Sequence, residues 1–539
     1  MQFQLASLME GLVDAGPEFV CLVAGEVRHT RRSLDERANQ VAHHLLAQGV
    51  EPGDRIGILT YNRAEHIETM LACWKISAVP VNLNYRYVAS ELVFVWNDAA
   101  LSGVVAERTF APVVGEVLEL LDNSGEQAKI KVNLVIDDGS SAELPDQAIS
   151  YDSVIAEFPT TRDFGVERSP DDLYLLYTGG TTGMPKGVLW RHEDIFFAAM
   201  GGGNYFDPIS TPEEILINAS EPPVPMNMLT TAPLMHASGQ WVAMIAMLSG
   251  GKAVVYTDRS FDAASVLDLA AAEGSQTLSL IGDAMAIPVV DEMLANPRDL
   301  PDLVAVANGG TMLSPASRVK IAEAFPRRFL SDGFGSSETG TVGSGVVGDP
   351  TEPGSYFSVG PNTQVVDPDT LEPVPFGTRG MVARTGHIPL GYLNLDDRDS
   401  TTFRTSASGV RWVLSGDWAE MGDDGRMLLL GRDSTCINTG GEKVHPEEVE
   451  AACRTHPSVA DVIVTGVPDP KWGSKVVAIV ELDGGSDLDL EGLQEHCRTN
   501  ISSYKLPREL ILNAVQRTNI GKPDTAWASI FAREALDVD

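Results

Sequence analysis

The chain has 539 residues, enough for more than one domain and a large core. Its 39 Lys and Arg against 75 Asp and Glu leave a formal charge of −36, which repels nucleic acid and anionic membrane surfaces. Hydrophobic residues make up 43%, as in an ordinary globular protein, and no apolar run reaches the length of a membrane span, so no stable membrane association is expected.

The early chain alternates helix and strand patterns. Ser33 with Glu36 forms a candidate capping box, and Leu34, Ala38, Val41, Leu45 and Leu46 make an apolar helical stripe that stops near Gly49. Arg55 to Leu59 reads as a strand, and so does Leu173 to Tyr177. The alternation returns at 253–307, with strands at 253–256, 277–281 and 303–307 and helices at 261–272 and 284–295. Ser314-Pro315 opens another helix. Strands alternating with helices indicate a mostly parallel α/β sheet. From about residue 350 to Leu430, Pro and Gly are frequent and short strands dominate. A compact α+β unit follows: a helix from Pro446 to Arg454, strands at 462–467 and 476–482, a helix at 490–500 and a strand at 509–512. The expected division is a large N-terminal α/β domain over 1–432, with layered sheets and a β-rich subdomain, and a small mobile C-terminal domain over 433–539. Five cysteines without a Cys-x-x-Cys pair suit a reducing cytoplasm, and the N-terminus lacks the basic start and apolar core of a signal peptide, so a cytoplasmic location is expected. The ten histidines show no zinc-like spacing, and no structural metal is expected.

The densest chemical signal lies at 177–187, Tyr-Thr-Gly-Gly-Thr-Thr-Gly-Met-Pro-Lys-Gly. Gly179, Gly180 and Gly183 let backbone approach a ligand and turn N–H groups toward an anion. Thr178, Thr181 and Thr182 add hydroxyls, and Lys186 adds a positive charge. The combination suits a polyphosphate. It is not a Walker A loop, because Lys186 is preceded by Pro185 and followed by Gly187. The glycine spacing also fails the dinucleotide-binding pattern.

This loop resembles the phosphate-binding loop of the adenylate-forming superfamily, which holds acyl-CoA synthetases, adenylation domains and beetle luciferases. Further segments match that superfamily in order, from Thr178 to Lys522. The resemblance implies ATP, Mg²⁺ and CoA as cofactor and co-substrates. It implies that Gly309, Gly310 and Thr311 lie near the nucleotide base. It implies that Phe334 in the run Asp332, Gly333, Phe334, Gly335, Ser336, Ser337, Glu338 stacks on adenine, that Ser337 bonds phosphate and that Glu338 holds Mg²⁺. Asp417 and Arg432 would reach the ribose. Gly440, Gly441 and Glu442 would line the path of the pantetheine arm, Lys522 would act in adenylation, and His236 would gate the acyl pocket. The segment 175–203 with 436–450 is similar to bacterial acyl-CoA synthetases for bulky acids, and Met226, Met228, Met235, Met244 and Gly201 to Gly203 are expected near the pocket.

The resemblance therefore implies an acyl-CoA synthetase acting on a steroid-, terpenoid- or long-chain-like carboxylic acid, with rotation of the small domain about Asp433-Ser434 between two half-reactions. Three departures from close relatives stand out: Asp433 and Thr435 at the hinge, Trp418 after Asp417, and Pro-Asp-Thr-Ala-Trp after Lys522. They leave open an enzyme that performs thioesterification alone, on acyl-adenylate from a partner. A silent acyl-binding protein or a luciferase-like oxygenase would share the same scaffold, and a homodimer is left open.

Overall fold

The computed structural model describes residues 1–123, 130–145, 147–178, 185–205, 207–220, 226–310, 313, 315–347, 355–395, 401–432, 437–444, 446–484, 487–516 and 524–538. The chain folds as two compact units. The larger holds Met1–Tyr85, Val95–Tyr177 and Gly187–Gly431; the smaller holds Arg86–Phe94, Thr178–Lys186 and Arg432–Asp539.

Two sheets organise the larger unit. In the first, strands Val20–Ala24, Ala253–Val255, Met228–Thr230, Thr277–Leu280, Ala305–Asn308 and Phe329–Ser336 lie side by side and parallel. Beyond Phe329–Ser336 the sheet turns antiparallel, through Gly340–Val346 and Ser355–Val359, and ends on Arg379–Arg384 and Thr363–Val366. This is the β-rich region. Among the described residues it holds no helix between Pro315–Ala324 and Pro446–Arg454. The second sheet is parallel from Leu173–Thr178 through Val79–Asn82, Arg55–Leu59, Leu101–Glu107 and Val132–Ile136 to Ile149–Ser150. Lys186–Arg191 adds to its other edge and pairs antiparallel with Gly391–Tyr392.

Strands such as Val132–Ile136 are buried at every residue, so both faces need apolar cover. Helices supply it. One core draws Leu5, Leu8 and Leu12 from Leu5–Ala15, Trp74 from Ala64–Lys75, Phe196 from His192–Ala199 and Met244 from Ala237–Leu248. Each such side chain contributes about 1.5–3 kcal/mol by leaving water.

Predicted boundaries shift by up to three residues. The helix expected to be capped by Ser33 runs Arg31–Ala47, and Thr30 is its cap, accepting from the Ser33 N–H at 3.1 Å. The reason is Arg31, which turns inward and donates to the carbonyls of Leu12, Gly16, Ala219 and Gly250, so the first helical turn begins there. Gly49 follows the helix with φ +79°, the left-handed residue that glycine supplies best. Ser314 lies outside the described residues, but the helix Pro315–Ala324 is present.

The smaller unit is a five-stranded sheet with helices on both faces. Alternate residues of its central strands separate the two cores. Val462, Val464, Val476, Ala478 and Val480 pack with helices Pro446–Arg454 and Leu490–Cys497. Ile463, Val477 and Ile479 pack with Ala528 and Ala532 of a terminal helix, Thr525–Ala535, which extends the unit beyond the last predicted strand.

Candidate active site

Ligands of open α/β sheets bind at the carboxyl ends of parallel strands. In the larger unit that edge carries a polar shelf. Asn308 closes its strand in register with Asp332 of the neighbouring strand. The Asn308 amide donates to Asp332 Oδ1 at 2.7 Å, and its oxygen accepts from the Gly282 N–H at 2.8 Å. Both side chains are buried. Burial pushes the Asp332 carboxyl above its usual range, against the pull of the Asn308 hydrogen bond and the Arg318 charge. Gly309 and Gly310 follow at once, and Gly310 has φ +79°. Thr311 lies outside the described residues.

Asp332, Gly333, Phe334, Gly335 and Ser336 all lie in the strand Phe329–Ser336. Phe334 is half-buried, its ring 5.5 Å from that of Phe357. Gly335 permits the tight hairpin, since a Cβ there would come within 2.1 Å of the Gly340 carbonyl oxygen. Ser336 meets Thr339 across the turn: its N–H donates to Thr339 Oγ1 at 2.9 Å. Ser337 and Glu338 ride on that turn. Glu338 is half-buried and accepts from the Tyr392 hydroxyl at 3.1 Å.

His236 sits at the same sheet edge, after the strand Met228–Thr230 and at the start of the helix Ala237–Leu248. Two asparagines that sequence reasoning missed fix its loop. Asn62 donates to the carbonyls of Ala232 and Tyr256 and accepts from the Leu234 N–H. Asn82 donates to the carbonyls of Met235 and Tyr177 at 2.6 and 3.0 Å and accepts from the Tyr177 N–H. It thus ties Tyr177 to the residue before His236. The signal was present: Asn82 is a polar residue ending a wholly buried strand. Met235 and Met244, expected near the pocket, are buried in the core, and Gly201 to Gly203 form a 3₁₀ turn with positive φ throughout.

Asp417 is buried on the strand Arg411–Met421. Leu414 pairs with Ala383 and Trp418 with Met381, so Ser415, Gly416 and Asp417 bulge opposite Val382 alone. Gly416 takes φ +77°, and the Asp417 N–H donates to Ser415 Oγ at 3.0 Å. Such a bulge re-aims a side chain. The departure at Trp418 has a structural reason: the Arg379 guanidinium lies 4.4 Å from the centre of its ring. Arg432 ends the strand Arg426–Arg432, and its side chain is outside the described set.

In the smaller unit, Thr178 and Lys186 flank the glycine-rich loop as the ends of their strands. Gly179, Gly180, Thr181, Thr182 and Gly183 lie outside the described residues, as do Asp433 to Thr435 and Lys522. Gly440 and Gly441, with φ +58° and +84°, make the two-residue turn between Ile437–Thr439 and Glu442–Val444. Glu442 is buried and pairs with Arg86 at 2.9 Å. Sequence reasoning missed Trp472, whose carbonyl accepts from the Gly440 N–H at 2.8 Å. Arg508 and Lys471 lie 4.2 and 4.7 Å from its ring centre, an aromatic and cationic platform beside the glycine turn.

Among the described residues no group of three or more His, Cys, Asp or Glu gathers in a way that could hold a metal ion. Magnesium that accompanies a nucleotide takes one or two carboxylates together with phosphate oxygens, and Glu338 offers a carboxylate of that kind.

The family model for the AMP-binding enzyme matches residues 11–393, and that for its C-terminal domain matches 448–522. This chain belongs to the AMP-binding enzyme family. Among AMP-binding enzymes it is 38% identical to a medium/long-chain-fatty-acid–CoA/3-oxocholest-4-en-26-oate–CoA ligase of Mycolicibacterium smegmatis, covering 99% of this chain and 97% of that one. It is 37% identical to a 3-oxocholest-4-en-26-oate–CoA ligase of Rhodococcus rhodochrous, covering 98% and 96%. In fold it is similar to the amide bond synthetase of Marinactinospora thermotolerans, with a TM-score of 0.78 at 22% identity over 97% of this chain and 99% of that one. That structure shares the adenylate-forming fold, a large N-terminal domain of mixed sheets with a small C-terminal one.

Proposed function

We propose that this AMP-binding enzyme is an acid–thiol ligase that activates a bulky hydrophobic carboxylic acid with ATP and passes the acyl group to CoA. The acid is of the long-chain, terpenoid or steroid side-chain class. The observation that carries this reading is full-length likeness, at 37–38% identity, to ligases named for fatty and 3-oxocholestenoic acids.

The chemistry has two steps. A carboxylate has no good leaving group, so its oxygen first attacks the α-phosphorus of ATP, forming acyl-AMP and releasing pyrophosphate. The CoA sulfur then attacks the acyl carbonyl, and the C–O bond to AMP breaks. Magnesium, when bound, neutralises phosphate charge. Glu338 is assigned to hold it. Gly309, Gly310 and Phe334 would form the base site, with Ser337 at the phosphates and Asp417 with Arg432 at the ribose. Lys522 would stabilise the charge that develops at the α-phosphate. His236, on its asparagine-clamped loop, would gate the acyl pocket. Gly440 and Gly441 would carry the thiol arm after rotation about Asp433-Ser434, with Trp472, Lys471 and Arg508 meeting the anionic end of CoA. A cytoplasmic location goes with the supply of ATP and CoA. No helix among the described residues is long and apolar enough to cross a membrane.

Two assays separate the steps. Pyrophosphate exchange across fatty, terpenoid and steroid acids reads adenylation; synthetic acyl-adenylate with CoA reads thioester formation. Lys522→Ala is expected to abolish the first and largely spare the second. Equal loss in both refutes the role of Lys522, and silence in both assays across the acids refutes the ligase reading.

A further inference from the structure

The turn that carries Glu338 is held by three strands other than its own. Trp190, fully buried on Lys186–Arg191, donates its indole N–H to the Ser337 carbonyl at 3.0 Å. Tyr392, on Gly391–Tyr392, donates its hydroxyl to the Glu338 carboxylate, and its ring stands edge-on to Phe403 at 5.1 Å. Arg384 ends Arg379–Arg384 and reaches under the turn. Its Nη1 donates to the carbonyls of Thr339 at 2.8 Å, Thr341 at 2.6 Å and Ala198 at 3.2 Å.

Arg384 is buried, and among the described residues no carboxylate pairs with it. Its Nε has no acceptor. Burial lowers its pKa to about 10, so it stays a cation at neutral pH. An interior charge balanced only by carbonyl dipoles is unfavourable. A methionine would fill similar space without that penalty. This buried charge lies at the turn that presents Glu338 and holds it through Nη1.

We propose that Arg384 and Tyr392 are positioning residues that fix the Glu338 carboxylate for the magnesium-bound phosphates of ATP. This rests on the role assigned to Glu338 above. Magnesium demands near-octahedral geometry at short distances, so a carboxylate free to swing is a poorer ligand. Groups that orient metal ligands typically govern about 10–100-fold in affinity. Arg384 fixes the backbone of the turn and Tyr392 fixes the carboxylate.

Arg31 is an internal control. It too is buried and donates to four carbonyls, but none belongs to the turn that carries Glu338. If Arg384 were only a staple, it would behave as Arg31 does.

The test is calorimetric binding of α,β-methylene ATP to the full chain as Mg²⁺ is raised, with no turnover. Tyr392→Phe and Arg384→Met are expected to raise the Mg²⁺ concentration at half-maximal binding about tenfold. Arg384→Lys should recover part of this, and binding in EDTA should not change. Arg31→Met should lower the melting temperature and leave the Mg²⁺ midpoint alone. Tyr392→Phe removes one hydroxyl and keeps the ring, so the test survives if Arg384→Met does not fold. Should Glu338→Gln shift the midpoint while Tyr392→Phe, and Arg384→Met where it folds, stay within twofold of wild type, the positioning proposal falls and the Glu338 assignment stands. Should Glu338→Gln leave the midpoint unchanged, both fall.

Discussion

Glu10→Gln is expected to destabilise the larger unit by about 3 kcal/mol at neutral pH. Glu10 lies on the first helix, and Lys75 ends the helix Ala64–Lys75. Lys75 Nζ is buried and meets Glu10 at 2.7 Å and Asp35 at 2.6 Å; Arg168 meets Glu10 at 2.8 Å. Burial alone would raise the Glu10 pKa. The Arg168 hydrogen bond and the charges of Lys75 and Arg168 outweigh it, and the pKa falls from 4.5 to about 2. At about 1.4 kcal/mol per unit, the ionised form gains about 3 kcal/mol from folding. A depressed carboxylate pKa stabilises above the unfolded value and is lost as pH falls through the folded one. The effect is therefore full above about pH 5, about half remains at pH 3, and it vanishes below pH 2. Urea unfolding of wild type and Glu10→Gln, followed by tryptophan fluorescence at pH 7 and pH 3, measures it. A difference below about 1 kcal/mol at pH 7, or one that does not shrink at pH 3, would mean that the ionised Glu10 does not stabilise the fold.

Asp332→Asn is expected to leave the melting temperature at pH 7 equal or higher, because burial raises this carboxyl and penalises its ionised form above the folded pKa. At pH 3 the two proteins should melt alike; a large loss at pH 7 would mean that the charge itself holds the shelf together. Gly440→Ala strains a left-handed residue and brings its Cβ within 2.8 Å of the Trp472 ring. It should cut thioester formation from acyl-adenylate roughly tenfold and leave pyrophosphate exchange within about twofold; loss of exchange instead would separate this turn from the thiol step.

Local signals carried much of the fold. Leu173 to Tyr177 was legible as a strand because a continuous apolar run leading into a glycine-rich loop suits a doubly covered parallel sheet. The helix start at Arg31 was not legible, because carbonyls far along the chain draw Arg31 inward. The same limit hid the supports of Glu338. The segment from Ser336 to Glu338 could be read, but Tyr392 and Arg384 lie some fifty residues on and reach it only through strand pairing. Nor could the sequence show that 86–94 clusters with the smaller unit, a grouping that rests on long-range contacts such as Arg86 to Glu442. Trp472 stood in a Pro-Lys-Trp-Gly turn between two strands, and it is the hairpin at Gly440 that brings this tryptophan beside the glycine turn.

The central claim, adenylation followed by transfer to CoA, is tested most directly by isotope. The acid, as palmitate or 3-oxocholest-4-en-26-oate labelled with ¹⁸O in its carboxylate, is incubated with the protein, ATP, Mg²⁺ and CoA, and the products are weighed by mass spectrometry. Attack of the carboxylate on the α-phosphorus predicts acyl-CoA together with AMP that carries one ¹⁸O from the acid. Label in inorganic phosphate with ADP as product, or acyl-CoA formed with unlabelled AMP, would contradict it.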